Sequence, residues 1–197
     1  MRIFVALPLP KEVRQDLAGI CGGIAGTRWI EPENFHLTLR FIGEIGRGQA
    51  DDLHTELTSI RFPEIECRLS GIGTFERRGH VTMLWAGLDH PQAVIALHDR
   101  IEAAARRAGF PCEARKFKPH VTLSRFRPHS MPVIGPYLEM HNAFSSRAFV
   151  FDRFNLYQSR LGHGSAIYDV LSEYPLDQKV YYGKEALADA DERLFGG

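Results

Sequence analysis

Phe35-His36-Leu37-Thr38-Leu39 and Pro119-His120-Val121-Thr122-Leu123 are two copies of one pattern: a histidine, an apolar residue, a threonine and a leucine in a β-prone run. Successive side chains of an extended strand face opposite ways, so His36 and Thr38 share one face while Leu37 and Leu39 share the other. His120 and Thr122 stand in the same relation to Val121 and Leu123. With the apolar faces in a core, each strand presents an imidazole and a hydroxyl side by side. Two such strands facing one cleft supply a paired acid and base with two hydroxyl donors between them. A histidine beside a threonine on one strand is most often a structural or surface pair. Two copies in a chain with 9 histidines are a rare accident, and the flanks Arg40-Phe41 and Ser124-Arg125-Phe126 extend the likeness.

A chain of 197 residues fits one domain or two small lobes, and can bury about 70% of its unfolded surface. Lys+Arg and Asp+Glu both number 24, so no global field draws a long polyanion. A nucleic-acid partner would have to be held locally, at an end or as a short oligomer, because extended duplex binding leaves a strongly basic footprint. The 3 cysteines, Cys21, Cys67 and Cys112, are odd in number and widely spaced. They argue against a disulfide framework or structural zinc, and fit a reducing cytosol. No stretch approaches the ~20 apolar residues of a membrane span, and the reading is of a soluble protein.

Ile3 to Leu9 reads as a buried strand, followed by a helix carrying Val13, Leu17 and Ile20. The first motif strand spans about Asn34 to Ile42, and a helix with Ala50, Leu53 and Leu57 on one face follows. Ile65 to Leu69 and Val81 to Trp85 alternate as strands, with Gly71, Gly73 and Gly79 expected to mark turns between them. Asp89 and Pro91 open the strongest helix, with Val94, Leu97, Ile101 and Ala105 as its stripe and Gly109 as its stop. The second motif strand covers about Pro119 to Phe126, and a loop from Pro128 to Pro136 leads to strands near Ala148–Gln158 and Ala166–Glu173. This order is α+β with antiparallel sheets. No phosphate-binding glycine loop is present, and the motif spacing suggests two related lobes.

These residues resemble the two-histidine phosphoesterases, whose signature is a pair of His-x-(Thr/Ser)-x motifs. Within that superfamily the chain is similar to the RNA 2′,3′-cyclic phosphodiesterases, also called 2′-5′ RNA ligases. Arg2-Ile3-Phe4-Val5-Ala6-Leu7, the run Asn34 to Glu44, Pro119 to Arg125, and Phe154 to Ser159 followed by Tyr168 stand in that family's order. The resemblance implies a bilobal fold: two pseudo-symmetric, interleaved lobes with antiparallel sheets lining a central cleft and helices outside, over residues 1–176. Residues 177–197 are then a peripheral tail. It also implies hydrolysis of 2′,3′-cyclic phosphate RNA ends to 2′-phosphate, without metal or nucleotide cofactor and with reversible 2′-5′ ligation open. The implied partners are RNA 3′ ends or short oligonucleotides, tRNA halves being one candidate source, with no membrane and a monomeric, cytoplasmic protein. Cyclic mononucleotides, an ADP-ribose cyclic phosphate or a noncatalytic RNA-end module are the competing readings.

Opening a cyclic phosphodiester needs a base for water on one side of phosphorus and an acid for the leaving ribose oxygen on the other. Two imidazoles, one neutral and one protonated, meet that need near neutral pH. By family analogy His36 is the proton donor and His120 the proton acceptor. Thr38 and Thr122 would hold the nonbridging oxygens, where fixed donors are worth a few kcal/mol. Zinc fails on ligand count, since neither motif holds a carboxylate or cysteine. Arg125 is a candidate phosphate clamp, although strict alternation puts it opposite His120 unless the strand bulges. Arg115, Lys116, Lys118, Arg125 and Arg127 form a basic rim around the second motif against only Glu113. Phe41 and Phe126 stand at comparable offsets, with Trp29 and Phe4 nearby, and Phe41 is the candidate plate for a terminal base. His54, His80, His90, His98, His129, His141 and His163 carry no paired motif and read as surface or structural residues. Arg77, Arg78 and His80 fall in a hairpin turn that could reach an RNA strand.

Overall fold

The computed structural model describes residues 1–127, 132–162 and 166–177. The proposed tail beyond Asp177, together with His129 and His163, lies outside the described residues. In chain order the elements are β1 (Arg2–Pro8), α1 (Lys11–Ala18), a 3-10 turn (Pro32–Asn34), β2 (His36–Glu44), α2 (Arg47–Thr58), β3 (Ile65–Arg77) and β4 (His80–Asp89). There follow α3 (Gln92–Arg107), β5 (Val121–Arg125), α4 (Gly135–His141), β6 (Phe149–Phe151), β7 (Arg153–Leu161) and β8 (Ala166–Pro175). The strands form one sheet in the order β6-β3-β4-β5-β2-β1-β7-β8, and every neighbouring pair is antiparallel.

The sheet divides into two four-stranded halves at the β2–β5 seam, where only Leu37 and Val121 are paired. Each half contains the same unit, a strand, a helix and a motif strand: β1-α1-β2 in one and β4-α3-β5 in the other. The two motif strands are thus the innermost strands of the two lobes. The sheet cannot be flat. Only Asp152 separates Phe151 of β6 from Arg153 of β7, yet six strand spacings of about 4.8 Å would set a flat β6 and β7 about 29 Å apart. The outer strands must curl back to meet.

One continuous core holds both halves together. Ile3, Val5 and Leu7 of β1, Leu37 and Leu39 of β2, and Val121 and Leu123 of β5 pack with the stripes of α1, α2 and α3. A second, small cluster of Phe4, Ala6 and Tyr157, with Tyr168 against it, occupies the opposite face of the sheet. The odd residues of β1 therefore face the core and the even ones the motif side.

Three sequence expectations change. Gly71 and Gly73 are not turns: β3 runs unbroken to Arg77, and the hairpin turns at Arg78 (φ 53°) and Gly79 (φ 76°). Gly71 (φ 69°) sits at a bulge opposite β4, and Gly73 lies under Trp85, where a Cβ would come within 2.4 Å of the indole. The strand expected over Ala148–Gln158 breaks at Asp152 into β6 and β7, which bond to different partners. Within the segment expected as loop, α4 begins at Gly135 and seals the core with Tyr137, whose hydroxyl donates to the Ile20 carbonyl at 2.7 Å.

Candidate active site

The two motif strands carry the same irregularity. Along β1, Val5 pairs with Arg40 and Ala6 with Thr38, so Leu39 is an extra residue. Along β4, Leu84 pairs with Ser124 and Trp85 with Thr122, so Leu123 is extra in the same way. A bulge of one residue inverts the alternation beyond it. Arg40 and Ser124 consequently turn toward the core, at 7% and 0% exposure, while Phe41 and Arg125 rejoin the histidine face. This resolves the position of Arg125, which lines the cleft with His120 and Thr122. It also corrects a pairing: the counterpart of Phe41 is Arg125, and Phe126 packs against the main core instead.

Antiparallel register about Leu37 and Val121 puts Thr38 beside His120 and His36 beside Thr122. Phe41 and Arg125 contribute to two adjoining spaces. One, of about 470 Å³, is lined by Thr38, His120 and Thr122 with Phe75, Met83 and the loop carrying Arg115, Lys116 and Lys118. The other, of about 620 Å³, is lined by His36 with Arg2, Phe4, Trp29, Asn34 and Tyr168. His120 thus lines one of these adjoining spaces and His36 the other, with Phe41 and Arg125 common to both.

Each imidazole is held alike. His36 Nδ1 lies 2.7 Å from the Asn34 carbonyl and His120 Nδ1 lies 2.7 Å from the Lys118 carbonyl, two residues upstream in both cases. A carbonyl can only accept, so Nδ1 carries the proton and Nε2 is the nitrogen left to exchange one. The surroundings differ. His36 is ringed by aromatics, with Phe4 at 5.0 Å, Tyr168 edge-on at 5.1 Å and Tyr157 at 6.3 Å. His120 meets Phe75 edge-on at 5.0 Å within a basic rim: Lys118 lies 4.2 Å over Trp85 and Arg115 lies 5.3 Å over Phe75. Glu113, the one acid in that rim, pairs with Arg40. Arg125 has no carboxylate partner among the described residues, nor does Thr38 make a side-chain hydrogen bond there. The Thr122 hydroxyl makes only a 3.5 Å contact with the Met83 sulfur.

Burial pushes the His36 imidazole down to about 4, partly opposed by the Asn34 carbonyl, and Arg125 and His120 push the same way as burial. His120 is also lowered by burial, and then by Arg125, Arg115 and Lys118. Both are therefore neutral at pH 7 in the free protein. A phosphate anion between them would stabilise each imidazolium and raise both. If the two act as base and acid, both limbs of the kcat/KM profile, which reports the free protein, should lie below pH 6.5. The limbs of kcat should lie at higher pH. Steady-state pH profiles on a nucleoside 2′,3′-cyclic phosphate check this; kcat/KM limbs above pH 6.5 would contradict the buried, cation-flanked setting.

Several lining residues have no sequence signal. Phe75 and Met83 reach the cleft because the β3–β4 hairpin runs past it, and pairing across strands cannot be read from one strand. His98, expected from the sequence to be a surface or structural histidine, stacks on Phe117 at 4.0 Å and lines the His120 side. Trp29, already named among the nearby aromatics, packs on Tyr137 and borders the His36 side. Among the described residues no three His, Cys, Asp or Glu side chains are grouped to hold a metal ion, and no helix is long and apolar enough to cross a membrane.

Paired imidazoles, two hydroxyls and a guanidinium that has no carboxylate partner among the described residues, on a scaffold that repeats itself across a seam, have the makings of a phosphoesterase. Comparison with known proteins identifies which kind. A family model described as LigT like Phosphoesterase matches residues 7–85 and 88–168, and the chain belongs to that family. The RNA 2′,3′-cyclic phosphodiesterase of Aeropyrum pernix is 32% identical over 146 residues, 73% of this chain and 83% of the relative. That of Escherichia coli is 28% identical over 182 residues, 90% and 97% of the two chains. The crystal structure of E. coli LigT complexed with 3′-AMP superposes with a TM-score of 0.74 at 27% identity, covering 90% of this chain and 98% of that one.

Proposed function

We propose that this protein opens 2′,3′-cyclic phosphates at RNA ends to 2′-phosphates, with the described residues up to Asp177 acting as one catalytic unit. The observation that carries this is the matched pair of imidazoles, each locked by a carbonyl so that Nε2 is free, lining adjoining spaces that share Phe41 and Arg125. An in-line displacement needs its base and acid on opposite sides of phosphorus. Water gives its proton to His120 Nε2 as the new P–O bond forms. The P–O3′ bond breaks, and the 3′ oxygen takes a proton from Nε2 of His36, which the bound phosphate anion has brought to its imidazolium form. Thr38 and Thr122 donate to the nonbridging oxygens, and Arg125 pairs with their charge.

Which imidazole serves as acid follows from the likeness to the family: burial and Arg125 lower both groups, His36 the further. His36 faces aromatic rings that can accept a cation once the phosphate anion has relieved the cost of burial. Phe41, 48% exposed and 5.6 Å from Phe4, offers a plate for the terminal base. With a 5′ hydroxyl in place of water the same step forms a 2′-5′ linkage, and in its reversal the 3′ hydroxyl attacks that linkage while the two histidines exchange roles.

The deciding experiment incubates chelator-treated protein with RNA ending in a 2′,3′-cyclic phosphate and with cyclic mononucleotides, then determines which ribose oxygen keeps the phosphate. Undiminished turnover to a 2′-phosphate is expected, with RNA ends favoured. Activity lost to chelator and restored by a divalent metal, or a uniform 3′-phosphate product, would overturn the mechanism.

A further inference from the structure

The residue four places after each histidine takes no part in the chemistry above and yet is buried. Arg40 donates from one terminal nitrogen to the Pro111 carbonyl at 2.5 Å and from the other to Glu113 Oε2 at 3.2 Å. Its Nε forms a 2.8 Å ion pair with Glu102 Oε2, off the hydrogen-bonding direction. The Glu113 backbone N–H in turn donates to Glu102 Oε1 at 2.9 Å. From the first motif strand, Arg40 thus fastens the segment between α3 and β5, which carries Lys118, the residue whose carbonyl holds His120.

Ser124, on the second motif strand, does the converse. Its hydroxyl donates to the Arg28 carbonyl at 2.9 Å, and beside it the Leu123 carbonyl accepts from the Ile30 N–H at 2.8 Å. That segment leads into the Pro32–Asn34 turn, and the Asn34 carbonyl holds His36. Arg40 and Ser124 occupy equivalent positions, both turned coreward by the leucine bulges.

We infer that Arg40 and Ser124 are positioning residues acting crosswise: each motif strand orients the histidine of the other. The ring direction of each imidazole is set by the carbonyl that accepts from Nδ1, and both carbonyls sit on connecting segments rather than on the sheet. One residue pair joins β2 to β5, so the sheet itself does little to hold those segments in place. A misplacement of about 1 Å at a reacting group can cost 10²-fold in rate. The inference rests on His36 and His120 being the acid–base pair, but its geometry can be read without turnover.

The test is ring-nitrogen NMR of the histidines in the substrate-free full chain, together with kcat and KM. Ser124→Ala should convert His36 from a single Nδ1–H tautomer to a mixture and leave His120 unchanged. Arg40→Lys, which keeps the charge but loses the fork, should do the reverse. Each should lower kcat by about 10–100-fold with KM nearly unchanged. Glu113→Ala, at a partly exposed position, loosens the same strap and should give a weaker version of the Arg40 result even if Arg40 variants fold poorly. Perturbation of the histidine on the variant's own strand, or no tautomer change in any variant, would overturn the inference. Crosswise tautomer changes with turnover intact would leave the straps standing and refute the acid–base reading instead.

Discussion

Replacing His36 or His120 by alanine should each lower kcat by about 10²–10⁴-fold, the usual worth of a positioned proton-transfer group. The two variants should fail differently. Loss of the base, in His120→Ala, should remove the acid limb of the pH profile, since that limb records protonation of the base. Loss of the acid, in His36→Ala, should remove the alkaline limb. The double variant should cost less than the product of the single losses, because half of an acid–base pair retains little of its effect. Binding of a 2′,3′-cyclic phosphate end should persist in both, since the hydroxyls, Arg125 and the basic rim remain. Rapid-quench turnover and equilibrium binding check each statement. Near-normal turnover in His36→Ala alongside an inactive His120→Ala would return His36 to the role of an ordinary strand histidine.

The threonines separate chemistry from folding more cleanly. Valine has almost the shape of threonine and suits a strand at least as well, so Thr38→Val and Thr122→Val should leave thermal stability unchanged. Each should nonetheless lower kcat by about 10²-fold, the effect of deleting one fixed donor aimed at developing charge. Among the described residues, Thr122 loses only its weak contact with the Met83 sulfur in the folded state, and Thr38 loses no hydrogen bond. Any large drop in rate therefore belongs to the bound substrate. Thermal denaturation beside single-turnover kinetics decides it; a loss of stability with rate preserved would mean that the hydroxyls serve the fold.

How far the sequence could be read depended on whether a feature was local. The alternation of His36 and Thr38 against Leu37 and Leu39 is a property of one strand, and it placed the imidazoles and hydroxyls on the right face. The bulges at Leu39 and Leu123 depend on registers with β1 and β4, so alternation alone put Arg125 on the wrong side and paired Phe41 with Phe126. Arg40 read as a flank of the motif, because its carboxylate partners Glu102 and Glu113 lie on another helix and loop. Gly73 resembled a turn residue, whereas its purpose is to make room for Trp85 in the middle of a strand. The break at Asp152 has no local cause in composition; it follows from β6 and β7 bonding to strands in different halves.

The interleaving of those halves has a consequence for the order in which the chain can become a protein. Strands β3, β4, β5 and β6 lie together between residues 65 and 151, so their half of the sheet has all its members as soon as that stretch exists. The other half draws β1 and β2 from one end of the chain and β7 and β8 from the other, and Arg2 of β1 pairs with Ser159. On a ribosome making the chain from its N-terminus, β1 can meet β2 early, but one row of its backbone N–H and C=O groups stays open until β7 emerges. Contacts so distant in sequence are slow to form, and an open, apolar strand edge is a template for unwanted pairing. The lobe that carries His36 is therefore the first to be started and the last to be closed.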